Sequence, residues 1–258
     1  MATYTHGHTP SVLRSHRWRT ADNSAAYLLP RLKPGTSLLD VGCGPGTITR
    51  DLARRVAPGR VVGVDPESSV IEEAASVEST VDFRVGDVYD LDVDGFDVVH
   101  AHQVLQHVSD PVAALTAMRR ACRKDGIVAA READYGAMAW YPAVPGLDDW
   151  LRVYRAVARE CGGEPDAGRR LLEWAQSAGF SEITTTASVW CFTTPEERSW
   201  WGHTWADRVT SSRVGTVAVE SGNCRQADLA RMAQAWRWWA DHPAGWFVVV
   251  HTELICRA

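Results

Sequence analysis

An α/β protein with a doubly wound, largely parallel sheet is the fold class predicted by this 258-residue sequence. Three observations predict it. Short apolar runs alternate with helical patterns from residue 36 to 132. The first run, Leu38-Leu39-Asp40-Val41, passes directly into Gly42, Gly44 and Gly46 and then into a helical pattern. Acids stand at or beside the ends of the first three runs: Asp40, Asp65 and Asp87.

Ser11 can cap a helix running to about Leu29, after a polar stretch over 1–10 without regular structure. Pro30, Pro34 and Gly35 end it. Leu38–Gly42 is continuously apolar apart from Asp40, as a strand buried on both faces should be. In Thr47–Val56, Ile48, Leu52 and Val56 recur at four-residue spacing, so this segment is a helix. Arg60–Asp65 is a second strand, Glu67–Val77 a helix and Val81–Val85 a third strand. Phe96–Ala101 follows the Asp94-Gly95 turn as a fourth strand. Pro111–Cys122 is a helix with Asp110 or Ser109 as its cap. Asp125-Gly126 turns the chain into a fifth strand, Ile127–Arg131. Leu147–Glu160 and Gly168–Ala178 read as helices, Gly179 as a C-cap and β-branched Phe180–Val189 as a sixth strand. Residues 195–241 are helical in composition, and Trp246–Cys256 is the last strand. One domain, 1–258, accounts for this order: an N-terminal helical segment (1–35), a core sheet (36–188 and 245–258) and a helical cap (189–244).

Composition narrows the function classes. A chain this long can bury about three-quarters of its unfolded surface as one unit. A hydrophobic fraction of 45% with 23% charged residues is that of a globular protein. The net charge of -5 leaves no electrostatic footprint for nucleic acid, so no nucleic-acid partner is expected. The six cysteines are scattered without a Cys-x-x-Cys pair, which fits free thiols in a reducing compartment and no metal site. His6 and His8 are too few for a metal tract. Without an apolar leader, or the roughly 18 apolar residues of a spanning helix, the expected location is cytoplasmic.

The glycines carry the chemistry. A strand that ends in a turn without side chains, followed by a helix N-terminus, lets backbone approach a nucleotide-like ligand. Dinucleotide folds want Gly-x-Gly-x-x-Gly, and the third Gly would fall at Thr47. That substitution, with no Tyr-x-x-x-Lys pair, counts against the alternative of an NAD-dependent oxidoreductase. Asp40 either accepts hydrogen bonds from loop N–H groups or faces a ligand cation. Asp65, about 20 residues after the glycines, suits ribose hydroxyls. Gly86-Asp87-Val88 can receive an adenine, the acid taking the exocyclic amine and Val88 the ring.

Asp40-Val41-Gly42-Cys43-Gly44-Pro45-Gly46, Asp65, Gly86-Asp87 and Phe96-Asp97-Val98-Val99 together resemble the class I S-adenosylmethionine-dependent methyltransferases. His102 to Pro111 and Arg123-Lys124-Asp125-Gly126-Ile127 look like their ubiquinone/menaquinone C-methyltransferase-like branch. The resemblance implies a Rossmann-like seven-stranded sheet whose last strand is antiparallel. It implies S-adenosylmethionine as cofactor and S-adenosylhomocysteine as product. Gly42, Gly44 and Gly46 would approach the amino-acid part, Asp65 with Pro66 the ribose, Gly86, Asp87 and Val88 the adenine, and His102 and Gln103 the sulfonium end, with Asp40 nearby.

Methyl transfer from a sulfonium is an in-line displacement with a neutral leaving group. The protein must align the partners and exclude water, and a base is needed only where the nucleophile must lose a proton. His102, His107, Tyr135 and His203 are the catalytic candidates. Candidates for acceptor binding are Trp18, Asp134, Tyr135, Trp140, Trp200 and His203. His100, inside a strand, reads as a core residue. Eight of the 12 tryptophans lie between Trp190 and Trp246, forming core packing, a dimer interface or an aromatic lid over the substrate. The expected function is methylation of a small, apolar or aromatic molecule, a specialised metabolite or quinone-like compound, by a monomer or homodimer. A cofactor-binding protein or non-methylating catalyst on the same fold is the alternative.

Overall fold

The computed structural model describes Thr5 and residues 10–258. The expectation for the remainder of 1–10, the reading of His6 and His8, and the Ser11 side-chain cap lie outside the described residues. Seven strands form one sheet: β1 (Leu38–Val41), β2 (Val61–Asp65), β3 (Asp82–Val85), β4 (Phe96–His102), β5 (Cys122–Tyr141), β6 (Ile183–Phe192) and β7 (Trp246–Arg257). Their spatial order is β3-β2-β1-β4-β5-β7-β6. The first five run parallel and β7 is antiparallel to both neighbours. The doubly wound α/β sheet with an antiparallel last strand is therefore as expected. The order reverses between β1 and β4, which opens a crevice outside the carboxyl ends of the strands.

Helices α3 (Thr47–Val56), α4 (Ser68–Ala75) and α5 (Pro111–Ala121) make the crossovers. In α3, Ile48, Leu52 and Val56 face the sheet and pack with Leu38, Val61 and Val98. Asp110 caps α5 by accepting the Ala113 N–H at 2.8 Å. On the other side of the sheet, Leu115, Met118 and Ala121 join Val99, Val128 and α7 (Leu171–Ser177). Between β5 and β6 the chain also forms α6 (Pro145–Glu160). Between β6 and β7 it forms α8 (Pro195–Ser211), α9 (Arg213–Glu220) and α10 (Gln226–Asp241). These helices bury a second, aromatic core in which Trp150 meets Trp205 edge-on at 4.6 Å and Trp236 at 4.8 Å. Among the described residues no helix is long and apolar enough to cross a membrane.

Three segments differ from expectation. The single helix expected over 11–29 is broken into α1 (Pro10–Arg17), α2 (Ala21–Ser24) and a 3₁₀ turn at Leu29–Arg31. Thr20 and Asn23 form a reciprocal capping box that restarts the helix and leaves Trp18 and Arg19 in the break. β5 is 20 residues long and not five, because its ladder with β7 resumes beyond a bulge between Asp134 and Ala139. β6 starts at Ile183. Phe180 instead closes the α7 C-terminus, its N–H reaching Ala175 O after Gly179 at φ +84°, and its ring is buried under Arg119. Trp190 thereby falls inside β6 and not in the helical cap.

Candidate cofactor and acceptor cavity

One cavity of about 350 Å³ lies over the carboxyl ends of the strands. Its floor on the β1–β3 side is Asp40 to Pro45, Asp65 to Glu67 and Gly86 to Tyr89. Its other end is built from His102, Gln103, Ala133, Tyr135, Trp190 and Val249, with α1 and α8 as walls.

The three glycines do different work. All take positive φ, +67° at Gly42, +55° at Gly44 and +75° at Gly46. A Cβ on Gly42 would lie 2.3 Å from Val104 Cγ2, and one on Gly46 would lie 2.5 Å from Phe83 Cζ. These two are demanded by packing, and Gly46 does not line the cavity. A Cβ on Gly44 would meet nothing nearer than His16 Nδ1 at 4.0 Å. Gly44 is thus the position where a missing side chain leaves room at the cavity floor, as a cradle for a ligand requires. Its N–H donates to Asp65 Oδ2 at 3.0 Å, while Asp65 Oδ1 accepts the Glu67 N–H at 3.1 Å. The β2 carboxylate and the glycine turn are therefore one rigid unit. Pro66, Gly86, Asp87 and Val88 continue this wall, and Asp87 Oδ1 accepts the Tyr89 N–H.

Asp40 is 3% exposed. Its carboxylate accepts from Thr49 Oγ1 at 2.5 Å and contacts His100 Nδ1 at 2.7 Å. Both oxygens are thus engaged, one by Thr49 of α3 and one by His100 of β4, and neither by a loop N–H group, the first of the two alternatives. His100 is its in-register partner on β4. Asp40 still borders the cavity floor.

At the far end, Gln103 holds a left-handed backbone (φ +54°) directly after β4. Its Oε1 accepts from Arg19 Nη2 at 2.7 Å and its Nε2 contacts His251 Nε2 at 2.9 Å. His251 lies edge-on to Trp190 at 4.4 Å. His102 stands beside both rings, and neither of its nitrogens has a hydrogen-bond partner among the described residues. Burial, reinforced by the positive charges of nearby arginines, holds His102 and His251 well below the ordinary imidazole range. His107 is pushed down to about 3 by burial, with Arg19 and Arg208 adding to it. All three are neutral at neutral pH. Tyr135 stacks on Tyr154 at 4.2 Å, and burial raises its phenol. Beneath this end, Glu132 accepts the N–H groups of Val104 (2.8 Å), Leu105 (2.7 Å) and Gln106 (3.2 Å). Burial raises its carboxyl to about 7 even so.

Thus Asp40, Gly42, Gly44, Asp65, Pro66, Gly86, Asp87, Val88, His102 and Gln103 meet at the cavity, as do His107, Tyr135, Trp18 and Trp200. His203, Asp134 and Trp140 do not. His203 is exposed on α8 and bonded to Ser199 O at 2.7 Å. Asp134 is buried in an ion pair with Arg169, at 2.7 and 2.8 Å. Trp140 stacks on Phe247 in the aromatic core. Sequence reasoning missed Arg19, Arg208 and His251. Of these, His251, a lone imidazole in the apolar Phe247–Cys256 run, left a readable signal. The tryptophans divide: Trp200, Trp201 and Trp205 line the cavity, Trp236 and Trp239 are fully buried, and Trp238 is half exposed.

Comparison with known proteins agrees with this architecture. Residues 32–179 match a family described as "Methyltransferase domain". An uncharacterised methyltransferase of Schizosaccharomyces pombe is 33% identical over 98% of this chain and 96% of its own length. A ubiquinone biosynthesis O-methyltransferase of Xanthomonas axonopodis is 39% identical over 37% of this chain and 41% of its own. Among solved structures, a putative methyltransferase from an antibiotic biosynthesis pathway of Anabaena variabilis covers 92% of this chain and 98% of its own at 14% identity. Its TM-score is 0.63, a likeness of fold. Matched along nearly its whole length by one methyltransferase and over more than half of it, from β1 to α7, by the family, the chain belongs to the class I S-adenosylmethionine-dependent methyltransferases.

Proposed function

We propose that this methyltransferase binds S-adenosylmethionine over the β1–β3 strand ends and transfers its methyl group to a small, apolar or aromatic molecule held under the tryptophans. The observation that carries the reading is one continuous cavity, polar with acids at the β1–β3 side and aromatic at the other. Its volume of about 350 Å³ is within the small-molecule range. When bound, the cofactor supplies an electrophilic methyl on a sulfonium. Gly44 leaves room for it, Asp65 is oriented for ribose hydroxyls, and Asp87 and Val88 stand where an adenine would rest. Trp18, Trp200, Trp201 and Trp205 wall off water, which sharpens every electrostatic interaction inside. His102, neutral and bordering the cavity, is the group best positioned to accept a hydrogen bond from the acceptor. His203, on the outer face of α8, has no part in this arrangement.

Thermal shifts with S-adenosylmethionine, S-adenosylhomocysteine and NAD test the cofactor. A ligand at about 100 times its Kd stabilises by about 2.7 kcal/mol. Stabilisation by NAD alone refutes the reading. Labelled methyl transfer into a small-molecule extract tests the acceptor class, and label found only in protein or RNA sinks it.

A further inference from the structure

Charge is segregated along the cavity. Its acids, Asp40, Asp65, Glu67 and Asp87, all come from the ends of β1, β2 and β3. Its arginines stand at the opposite end: Arg19 beside Gln103 and the β6 residue Trp190, and Arg208 on α8. Arg208 is 4% exposed. It shares one face of α8 with Trp201 and Trp205, at positions i, i+4 and i+7. Its guanidinium lies 4.5 Å over the Trp205 ring and donates to Ser15 Oγ at 2.7 Å, so its position is fixed by α1 and α8 together.

We propose that the methyl acceptor carries an ionised oxygen, carboxylate or phenolate, seated against the Arg208 guanidinium, so that the enzyme selects aromatic acids over neutral or cationic molecules. This rests on the methyl-transfer reading above and specifies its substrate class. A guanidinium stays charged at any physiological pH, and its five N–H donors let it hold such an oxygen alongside its partners in the protein. The positive field extends across the acceptor end: Arg208 and Arg19 both disfavour protonation of His107 and both favour ionisation of Tyr135. An imidazole held neutral in this way is a weak base, so an acceptor that had to surrender its proton there would be poorly served. The same field favours an oxygen that is already ionised. Transfer then needs no base. An oxygen lone pair forms the O–C bond, the S–C pair returns to sulfur, and the charges of oxygenate and sulfonium cancel with no proton released. A protonated amine would be repelled by both arginines and has no lone pair to attack with.

The test uses the full-length protein saturated with S-adenosylhomocysteine, whose own titration reports on the cofactor reading separately. Benzoate, 4-nitrophenolate at alkaline pH, benzamide and benzylammonium are then titrated calorimetrically. At least one anion should bind about tenfold more tightly than benzamide, with benzylammonium weakest; whichever anion leads identifies the oxygen. Arg208→Met should abolish this preference while S-adenosylhomocysteine still binds, which also shows that the variant is folded. Arg208→Lys, which keeps the charge with fewer donors, should retain the preference and bind the anion about threefold more weakly. Anions that bind no better than benzamide, lack of binding by all four included, overturn the proposal. So does a preference that survives Arg208→Met or affinity unchanged in Arg208→Lys.

Discussion

Alanine at each of the three motif glycines should separate the glycine that serves a ligand from those that serve packing. All three positions have φ between +55° and +75°, where a Cβ costs about 1–2 kcal/mol. At Gly44 that is the whole penalty, because the new methyl meets nothing within ordinary contact distance. At Gly42 it adds a 2.3 Å collision with Val104, and at Gly46 collisions with two ring atoms of Phe83 and with Arg50. Relieving such overlaps costs about a further 1–3 kcal/mol. Gly42→Ala and Gly46→Ala should therefore lose about 2–5 kcal/mol and Gly44→Ala about 1–2, at roughly 2–4 °C in Tm per kcal/mol for a chain of this size. Ligand affinity should follow the reverse order. The Gly44→Ala methyl occupies the cavity floor, and calorimetric titration should show S-adenosylhomocysteine binding at least about tenfold more weakly, or about 1.4 kcal/mol. Gly46→Ala, away from the cavity, should bind nearly as the native protein does. A Gly44→Ala protein with native affinity, beside a Gly46→Ala protein that has lost it, would refute the assignment of the cradle to Gly44.

Asp65→Ala should weaken S-adenosylhomocysteine binding strongly, since it removes the carboxylate and releases the Gly44 N–H, whereas exposed His203→Ala should leave affinity unchanged and stability within about 0.5 kcal/mol; equal losses in titration would contradict this. Stability should fall as pH drops below about 6.5, followed by denaturant midpoints. The unfolded chain takes protons on His102, His107 and His251 near 6.5, while the folded protein resists them, down to about 3 at His107. Glu132 acts in the opposite sense, its raised carboxyl costing stability as pH rises from 4.5 to about 7. His107→Gln should flatten the acid limb, and an unchanged limb would contradict its depressed pKa. Glu132→Ala leaves three backbone donors without their acceptor, at about 1–3 kcal/mol each, and should lower stability by at least about 3 kcal/mol. Trp150→Ala, at the centre of the aromatic core, should cost about 3–5 kcal/mol by thermal or chemical unfolding.

The sheet and the cofactor end were legible because their signals are local. A buried strand, a glycine turn and an amphipathic helix occupy consecutive residues from Leu38 to Val56, and Asp65 and Asp87 repeat the strand-end placement. The acceptor end is assembled from segments far apart in the chain. Arg208 reaches Ser15 across 193 residues, and His251 reaches Gln103 across 148. No local period announces such meetings. Asp40 shows the intermediate case. A costly buried acid was evident, but its partner His100 emerges only from the β1–β4 register. His203 drew attention by its place among tryptophans, yet one helical step sets it outside the face shared by Trp201, Trp205 and Arg208.

The length of β5 bears on how the walls of the cavity are held. A single ladder runs from Ile127 paired with Arg257, deep in the parallel sheet, to Tyr141 paired with Trp246 under the aromatic helices. Scaffold and aromatic core thus share one continuous pair of strands, β5 and β7. On the opposite wall, α1 and the Trp18 that follows it are held by side-chain contacts instead, among them Ser15 to Arg208, Arg17 to Glu73, and Trp18 against Trp190 and Trp200. The α1 side of the cavity is thus the wall that no strand pairing crosses, and cutting the chain at the capped break near Thr20 should disturb the cavity while leaving the sheet intact.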